Sequence, residues 1–184
     1  IDRWVIQTVL SNYHDLFGLK NDTKISINLS GNSLTDDALL EFVQRRFAES
    51  GVAADAVCFE ITETAVISNL QRAAKFISAM REFGCRFALD DFGSGLSSFN
   101  YLKQFPIDYL KINGTFVVNM MNDPMDHALV EAINRIGQVM GTNTVAEFVE
   151  NEALITALTE LGVDFVQGYA IGQPAPLISP PDTV

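Results

Sequence analysis

Seven positions in this 184-residue chain could do chemistry together: Asn28, Glu60, the adjacent pair Asp90 and Asp91, Lys111, Glu147 and Gln167. Each stands in or at the end of a short β-rich apolar run. Taken singly, any of them reads equally well as a strand-end polar group meeting solvent, and FALDDFGSG (87–95) alone could be a turn with helix caps. Taken as a set, they form a donor group of carboxylate and amide oxygens without Cys or His. Such a set suits Mg2+, Mn2+ or Ca2+ rather than Zn2+. Several carboxylates around one cavity repel each other unless cations intervene. Two divalent ions sharing a bridging carboxylate would resolve this, and two-metal sites clamp phosphoryl oxygens during in-line displacement. Lys111 adds a cation able to orient or deprotonate a water, or to offset charge on a phosphate. With no Ser–His or Cys–His pair in the set, phosphoester hydrolysis follows more naturally than acyl transfer.

The elements that must position these groups alternate along the chain. Strand candidates are KISINL (24–29), AVCFEI (56–61), RFALDD (86–91), DYLKIN (108–113), NTVAEF (143–148) and DFVQGY (164–169). Their near-continuous apolar character is that of parallel strands covered on both faces. The first helix is expected from Asp2 to about Phe17, with Trp4, Val5, Thr8, Val9 and Phe17 near one face. The second should start around Thr35, carry Leu39, Leu40, Val43 and Phe47, and stop at Gly51. A third should start at a Ser68 cap and run to Gly84, and a short helical piece should span 97–104 before Pro106. Asp123-Pro124 reads as a cap followed by proline at the first helical position, opening a helix that ends near Gly141. A last helix is expected over 151–162. The histidines, His14 and His127, fall on helices and read as surface or packing residues.

Six strand–helix units imply an α/β fold with parallel strands. An open doubly wound sheet would offer a Gly-rich phosphate loop after its first strand, and SINLSGN (26–32) matches that poorly. A (β/α)8 barrel needs eight units and about 250 residues, so the chain is two units short of one. In a barrel, all C-terminal strand ends converge on one face, which would gather the seven residues.

Composition narrows the partners. The formal net charge of −11 argues against broad binding to DNA or anionic lipid, though not against an anionic substrate held through cations. No apolar run approaches the roughly 18 residues of a membrane span, so no membrane contact is expected from this segment. Cys58 and Cys85 lie in strand-like runs and read as free buried thiols in a reducing compartment. Ile1 is not an initiator Met, and the chain reads as a piece of a longer protein.

The stretches NLS (28–30), FEITE (59–63), ALDDFGSGLSSFNYLKQFPIDYLKI (88–112), AEFVE (146–150) and QGYAIGQP (167–174) closely resemble EAL-domain cyclic di-GMP phosphodiesterases. The resemblance covers essentially the whole chain. It implies a TIM-like (β/α)8 barrel of the EAL type, truncated at its N-terminus, over residues 1–176, followed by a Pro-rich tail at 177–184. It also implies Mg2+- or Mn2+-dependent opening of cyclic di-GMP to linear pGpG, with two ions. By position, the metal ligands would be Asn28, Glu60, Asp90, Asp91 and Glu147. Lys111 would stand beside the attacking water, with Lys111, Glu147 and Gln167 as the catalytic set. Glu63 would pin the loop over 92–98, with a helix-start acid favoured by the dipole as the lesser alternative. A cytoplasmic location, a homodimer or other self-association, and an upstream sensory or GGDEF-type domain are further implications.

Three departures qualify the resemblance. The Glu-Ala-Leu motif, with its metal-ligating glutamate, is absent, as is the nearby arginine that meets the substrate phosphate. Asn113 stands where the family usually has Asp, which would weaken charge balance around Lys111. Phe148 replaces a frequent Gly and reads as a tolerated variant. On its own the chain is therefore expected to bind metal poorly, turn over slowly or not at all, and expose strand edges at 25–28 and at its last strand. The alternatives are a catalytically inactive cyclic di-GMP receptor and a metal-dependent barrel enzyme acting on another phosphoester.

Overall fold

The computed structural model describes residues 1–17, 23–36, 38–94 and 99–176. Helix α1 (Asp2–Phe17) leads into β1 (Ile25–Leu29), α2 (Leu39–Ser50) and β2 (Val57–Thr62). Then come α3 (Glu63–Ser68), α4 (Leu70–Phe83), β3 (Arg86–Phe92), a 3-10 segment (Phe99–Gln104) and β4 (Tyr109–Ile112). The chain continues through α5 (Gly114–Asn119), α6 (Pro124–Met140), β5 (Asn143–Ala146), α7 (Glu152–Glu160) and β6 (Phe165–Val166).

All six strands are parallel and lie in sequence order, β1 to β6. A doubly wound sheet reverses its order at a switch point, and this one does not. Right-handed crossovers in constant order put every helix on the same side, which is barrel winding. The strand alternation agrees. Ile27, Leu29, Phe59, Ile61, Phe87, Leu89, Leu110 and Ile112 are buried in one cluster with the helices. Their neighbours Ser26, Cys58, Glu60, Arg86, Ala88, Tyr109, Lys111 and Val145 line a small cavity of about 140 Å³ on the opposite face. That face is the barrel interior. Helix α6 comes close to β5 at Gly137, where an added Cβ would fall 2.4 Å from Thr144 Cγ2.

Several local expectations need correcting. In α1 the buried stripe is Ile6, Val9, Leu10 and Tyr13, while Trp4 is 69% exposed. The i, i+3, i+4, i+7 set closes on the core, and Trp4, two residues before Ile6, points away from it. Helix α2 begins at Leu39 rather than near Thr35, because Ser33–Thr35 makes a 3-10 turn first. The expected third helix is α4, which starts at Leu70 behind Asn69, one residue past the expected Ser68 cap, and stops at a left-handed Gly84. A short helix without a sequence expectation, α3, precedes it, capped by Thr62, which accepts from Ala65 N at 3.3 Å. The run over 97–104 is a 3-10 segment from Phe99, with Ser97 outside the described residues. Helix α5 lacked any sequence expectation, and its cap is Asn113, accepting from Thr115 N. Strands β5 and β6 are shorter than their apolar runs, so Glu147 and Gln167 lie just past the strand ends. The Asp123-Pro124 start and the left-handed Gly141 stop of α6 match the sequence reading. Both cysteines are free and buried, and burial pushes each thiol up to about 12. The tail at 177–184 lies outside the described residues.

Candidate active site

Strand β4 is apolar on its helix-facing side, and its period of two turns Lys111 the other way, into the barrel. There its Nζ lies 2.8 Å from Glu60 Oε2, 2.8 Å from Asp90 Oδ1 and 2.8 Å from Glu147 Oε1. The lysine is buried, so one cation faces three carboxylates with little water between them. Burial alone would favour neutral lysine. The carboxylates outweigh it and hold the ammonium well above its ordinary range. Glu147 moves the other way: burial raises its carboxyl, the Lys111 contact lowers it in part, and the charges of Asp90 and Asp91 raise it further. Asp91 is also raised, by burial and then by its neighbour Asp90.

Adjacent strand residues ordinarily point to opposite faces, yet Asp90 and Asp91 serve the same rim. The register explains this. Leu89 pairs with Leu110 and Phe92 with Ile112, so three steps on β3 oppose two on β4. This is a bulge, and bulges re-aim side chains. Asp91 takes φ of 55°, a left-handed conformation that Asp tolerates better than most residues. Its Oδ1 accepts from Asn113 Nδ2 at 3.2 Å. Past the end of β5, Phe148 repeats the device, with φ of 54° directly after Glu147.

One carboxylate oxygen each from Asp90, Asp91 and Glu147 lies within 4.8 Å of the others. Asp90 Oδ1 is buried, with the Lys111 ammonium at 2.8 Å. Three carboxylate oxygens this close, with one lysine to offset them, fit a hard divalent cation. Glu60 faces the same lysine, and Asn28 pairs with Glu60 in the sheet register and is exposed. Gln167 is exposed. Its backbone N–H donates to Ala146 O and its carbonyl accepts from Val149 N, which fixes it beside Glu147.

Glu63 is 1% exposed, far from an ordinary solvated helix-start acid. Its Oε2 accepts from Gly93 N at 2.9 Å and its Oε1 from Tyr101 OH at 2.8 Å. Burial, then the Glu63 bond and charge, push the Tyr101 phenol above its usual range. Of the loop over 92–98, residues 95–98 lie outside the described residues.

Next to the lysine-centred cluster is a groove of about 680 Å³, walled by Glu147, Phe148, Glu150, Gln167, Tyr169 and Pro174 among others. Sequence reasoning passed over Tyr101, Tyr169 and the placement of Phe148. Tyr101 lies within the long motif block but carried no individual signal, because its partner is distant in sequence.

These features define a parallel α/β domain of barrel type, with an acidic, lysine-centred site at the C-terminal ends of its strands. The EAL domain family matches residues 1–174, and the chain belongs to it. It is 47% identical over 161 residues to Cyclic di-GMP phosphodiesterase PdeB of Shewanella oneidensis, covering 88% of this chain and 19% of that protein. It is 35% identical over 178 residues to Cyclic di-GMP phosphodiesterase PdeF of Escherichia coli, covering 97% of this chain and 24% of that protein. The chain thus spans about a quarter or less of the length of these relatives. Among solved structures, the PaMucR phosphodiesterase in complex with c-di-GMP superposes with a TM-score of 0.89 at 30% identity, covering 95% of this chain and 71% of that one. The Xanthomonas citri FimX EAL domain in complex with c-diGMP gives 0.87 at 26% identity, covering 95% and 69%. Both likenesses place the six-stranded sheet within a TIM-barrel-type fold.

Proposed function

We propose that this chain is part of a metal-dependent phosphodiesterase that hydrolyses one phosphodiester bond of cyclic di-GMP to give linear pGpG. The observation that carries this is the Lys111 ammonium, 2.8 Å from Glu60, Asp90 and Glu147, beside an acidic group suited to a divalent cation. The names of the relatives supply the substrate class. Asn28, Glu60, Asp90, Asp91 and Glu147 would hold two Mg2+ or Mn2+ ions. When bound, such ions stabilise charge on phosphoryl oxygens and make water nucleophilic at neutral pH.

The chain's own residues do the positioning. Lys111, held as an ammonium, donates hydrogen bonds to a water or a phosphate oxygen and offsets developing negative charge. Glu147 Oε1 stands 2.8 Å from Lys111 Nζ, which sets both residues at the same point. Gln167 presents its amide at the rim. Glu63 holds the start of the loop after the aspartate pair through Gly93 N. We place the parent protein in the cytoplasm as a homodimer, with an upstream sensory or GGDEF-type domain. Among the described residues, no helix is long and apolar enough to cross a membrane.

A second reading, a catalytically silent cyclic di-GMP receptor, draws on Asn113. Its amide donates to Asp91 Oδ1 at 3.2 Å, at a position where the family usually has an Asp. Hydrolysis in Mn2+ by this chain and by the longer parent, with products separated and binding measured in parallel, decides between the two. Linear dinucleotide supports the phosphodiesterase. Cyclic di-GMP that binds and is recovered intact from both proteins supports the receptor. Absence of any preference for cyclic dinucleotides over other phosphoesters overturns both.

A further inference from the structure

Cations are scarce in this chain, 12 against 23 acidic residues, so a place where they gather calls for a reason. Arg81, Arg86 and Lys103 line one cavity of about 540 Å³, with Asp108 as the only carboxylate in its wall. The groove beside Glu147 has the opposite character, with Glu147 and Glu150 in its wall and no cation. The cavity lies at the N-terminal ends of β3, β4 and β5, across the barrel from the acidic group. Arg86 opens β3 four residues before Asp90, a span of about 13 Å along the strand. Structural duties account for only part of this charge. Arg81 sits in the last turn of α4, where a cation complements the helix dipole, and donates to Pro106 O at 2.6 Å and Asp108 Oδ1 at 3.3 Å. The other oxygen, Asp108 Oδ2, accepts from Phe87 N at 2.9 Å, so this carboxylate is taken up by Arg81 and the sheet. Arg86 is half-buried and reaches only the Tyr109 hydroxyl, at 3.5 Å, with no ion pair among the described residues. Lys103 is exposed and has no ion pair among the described residues. A half-buried guanidinium without a counter-charge is costly unless an anion supplies one.

We propose that this cavity binds a small phosphomonoester, with the Arg86 guanidinium and the Lys103 ammonium on its phosphate and Arg81 adding charge. Three cations against one carboxylate leave two positive charges, which match a phosphate dianion better than a carboxylate. The planar guanidinium fork suits phosphate oxygens, and the lysine adds a mobile point charge. The cavity is larger than one phosphate, and Phe105, Ile107 and Met140 line it beside the cations, where the organic part of an ester would lie. A nucleic acid does not fit, because the net charge of −11 repels a long polyanion. None of these residues belongs to the acidic site, so the inference stands apart from the phosphodiesterase reading.

The test is titration calorimetry of the whole chain with phenyl phosphate at low ionic strength. EDTA is present, so that no divalent ion draws phosphate to the acidic group. Phenyl phosphate should bind with a Kd below about 1 mM, inorganic phosphate more weakly, and phenol not at all. Arg86→Gln should weaken binding about tenfold and Lys103→Gln about threefold. Lys75→Gln, at an exposed lysine of α4 outside the cavity, should leave it unchanged. Lys103→Gln changes an exposed side chain, so its melting temperature should equal that of wild type. Arg86→Lys keeps the charge and should recover part of the affinity that Arg86→Gln loses, which separates contact from folding. No binding to wild type below that concentration overturns the inference. So does wild-type affinity in both Gln variants of the cavity. Inorganic phosphate binding as tightly as the ester overturns the ligand class, and an equal loss in Lys75→Gln reduces the effect to diffuse charge and overturns the site.

Discussion

Lys111 faces Glu60, Asp90 and Glu147 in a site with little water, so it is the charge on which the cluster depends. Removing one partner of a buried ionic group leaves its counter-charges uncompensated, which is costly. We therefore expect Lys111→Met to lower stability by about 3–5 kcal/mol. Added Mn2+ should restore more stability to that variant than to wild type, because a cation can take over the missing charge. Thermal melts with and without Mn2+ check this, and equal melting temperatures in the absence of metal would refute it. The sign with pH follows from the raised lysine value. Its contribution is complete below the ordinary 10.5 and is lost only as pH rises above that toward the folded value. At this scale the sequence identified Glu60, Asp90, Asp91, Lys111 and Glu147 as candidates from residue type and strand-end position. It carried no backbone conformation for Phe148, whose left-handed backbone and packing on Gly114 involve a segment more than thirty residues away.

Helix α1 is fastened to the loop after β1 by one carboxylate. Asp2 Oδ2 accepts from Ser30 N at 2.7 Å and from Ser33 Oγ at 2.6 Å, and Ser30 lies two residues beyond Asn28. Burial works to raise this carboxyl, but the Ser33 and Ser30 hydrogen bonds prevail and hold it below the ordinary 3.8. A depressed acid contributes stability above its unfolded value and loses it as pH falls through the folded one. Asp2→Ala should thus cost about 1–2 kcal/mol at neutral pH. The gap to wild type should close below 3.8. Urea unfolding of both proteins at neutral and strongly acidic pH measures this, and an unchanged gap in acid would remove the carboxylate from the account. Element boundaries were least legible where caps compete. Ser68 looked like the cap of the third helix, but it is the last residue of the short α3, and α4 starts behind Asn69 instead. Helix α5 was invisible because its six residues carry no helical period of their own, and Asn113 caps it while also holding Asp91.

Across the whole molecule, the net charge of −11 repels an anionic dinucleotide at long range. Association of cyclic di-GMP at fixed Mn2+ should therefore speed up as monovalent salt rises from about 50 to about 300 mM, the reverse of a nucleic-acid binder. Stopped-flow association rates read this directly, and a fall with salt would indicate a local positive field that overrides the net charge. What the sequence by itself determined was the α/β class, the parallel strands, most of the helix positions and the candidate residues. Period, caps and composition are local properties and survive without a fold. The family resemblance also lay in contiguous blocks. Tertiary structure alone decided how those residues meet. Constant strand order turned an undecided α/β sheet into barrel winding, which brings Glu60, Asp90, Lys111 and Glu147 from four strand ends to one point. A bulge between β3 and β4 then let two neighbouring carboxylates face the same rim. Both outcomes arise from hydrogen-bond register between segments distant in the chain, which no local reading of residue types contains.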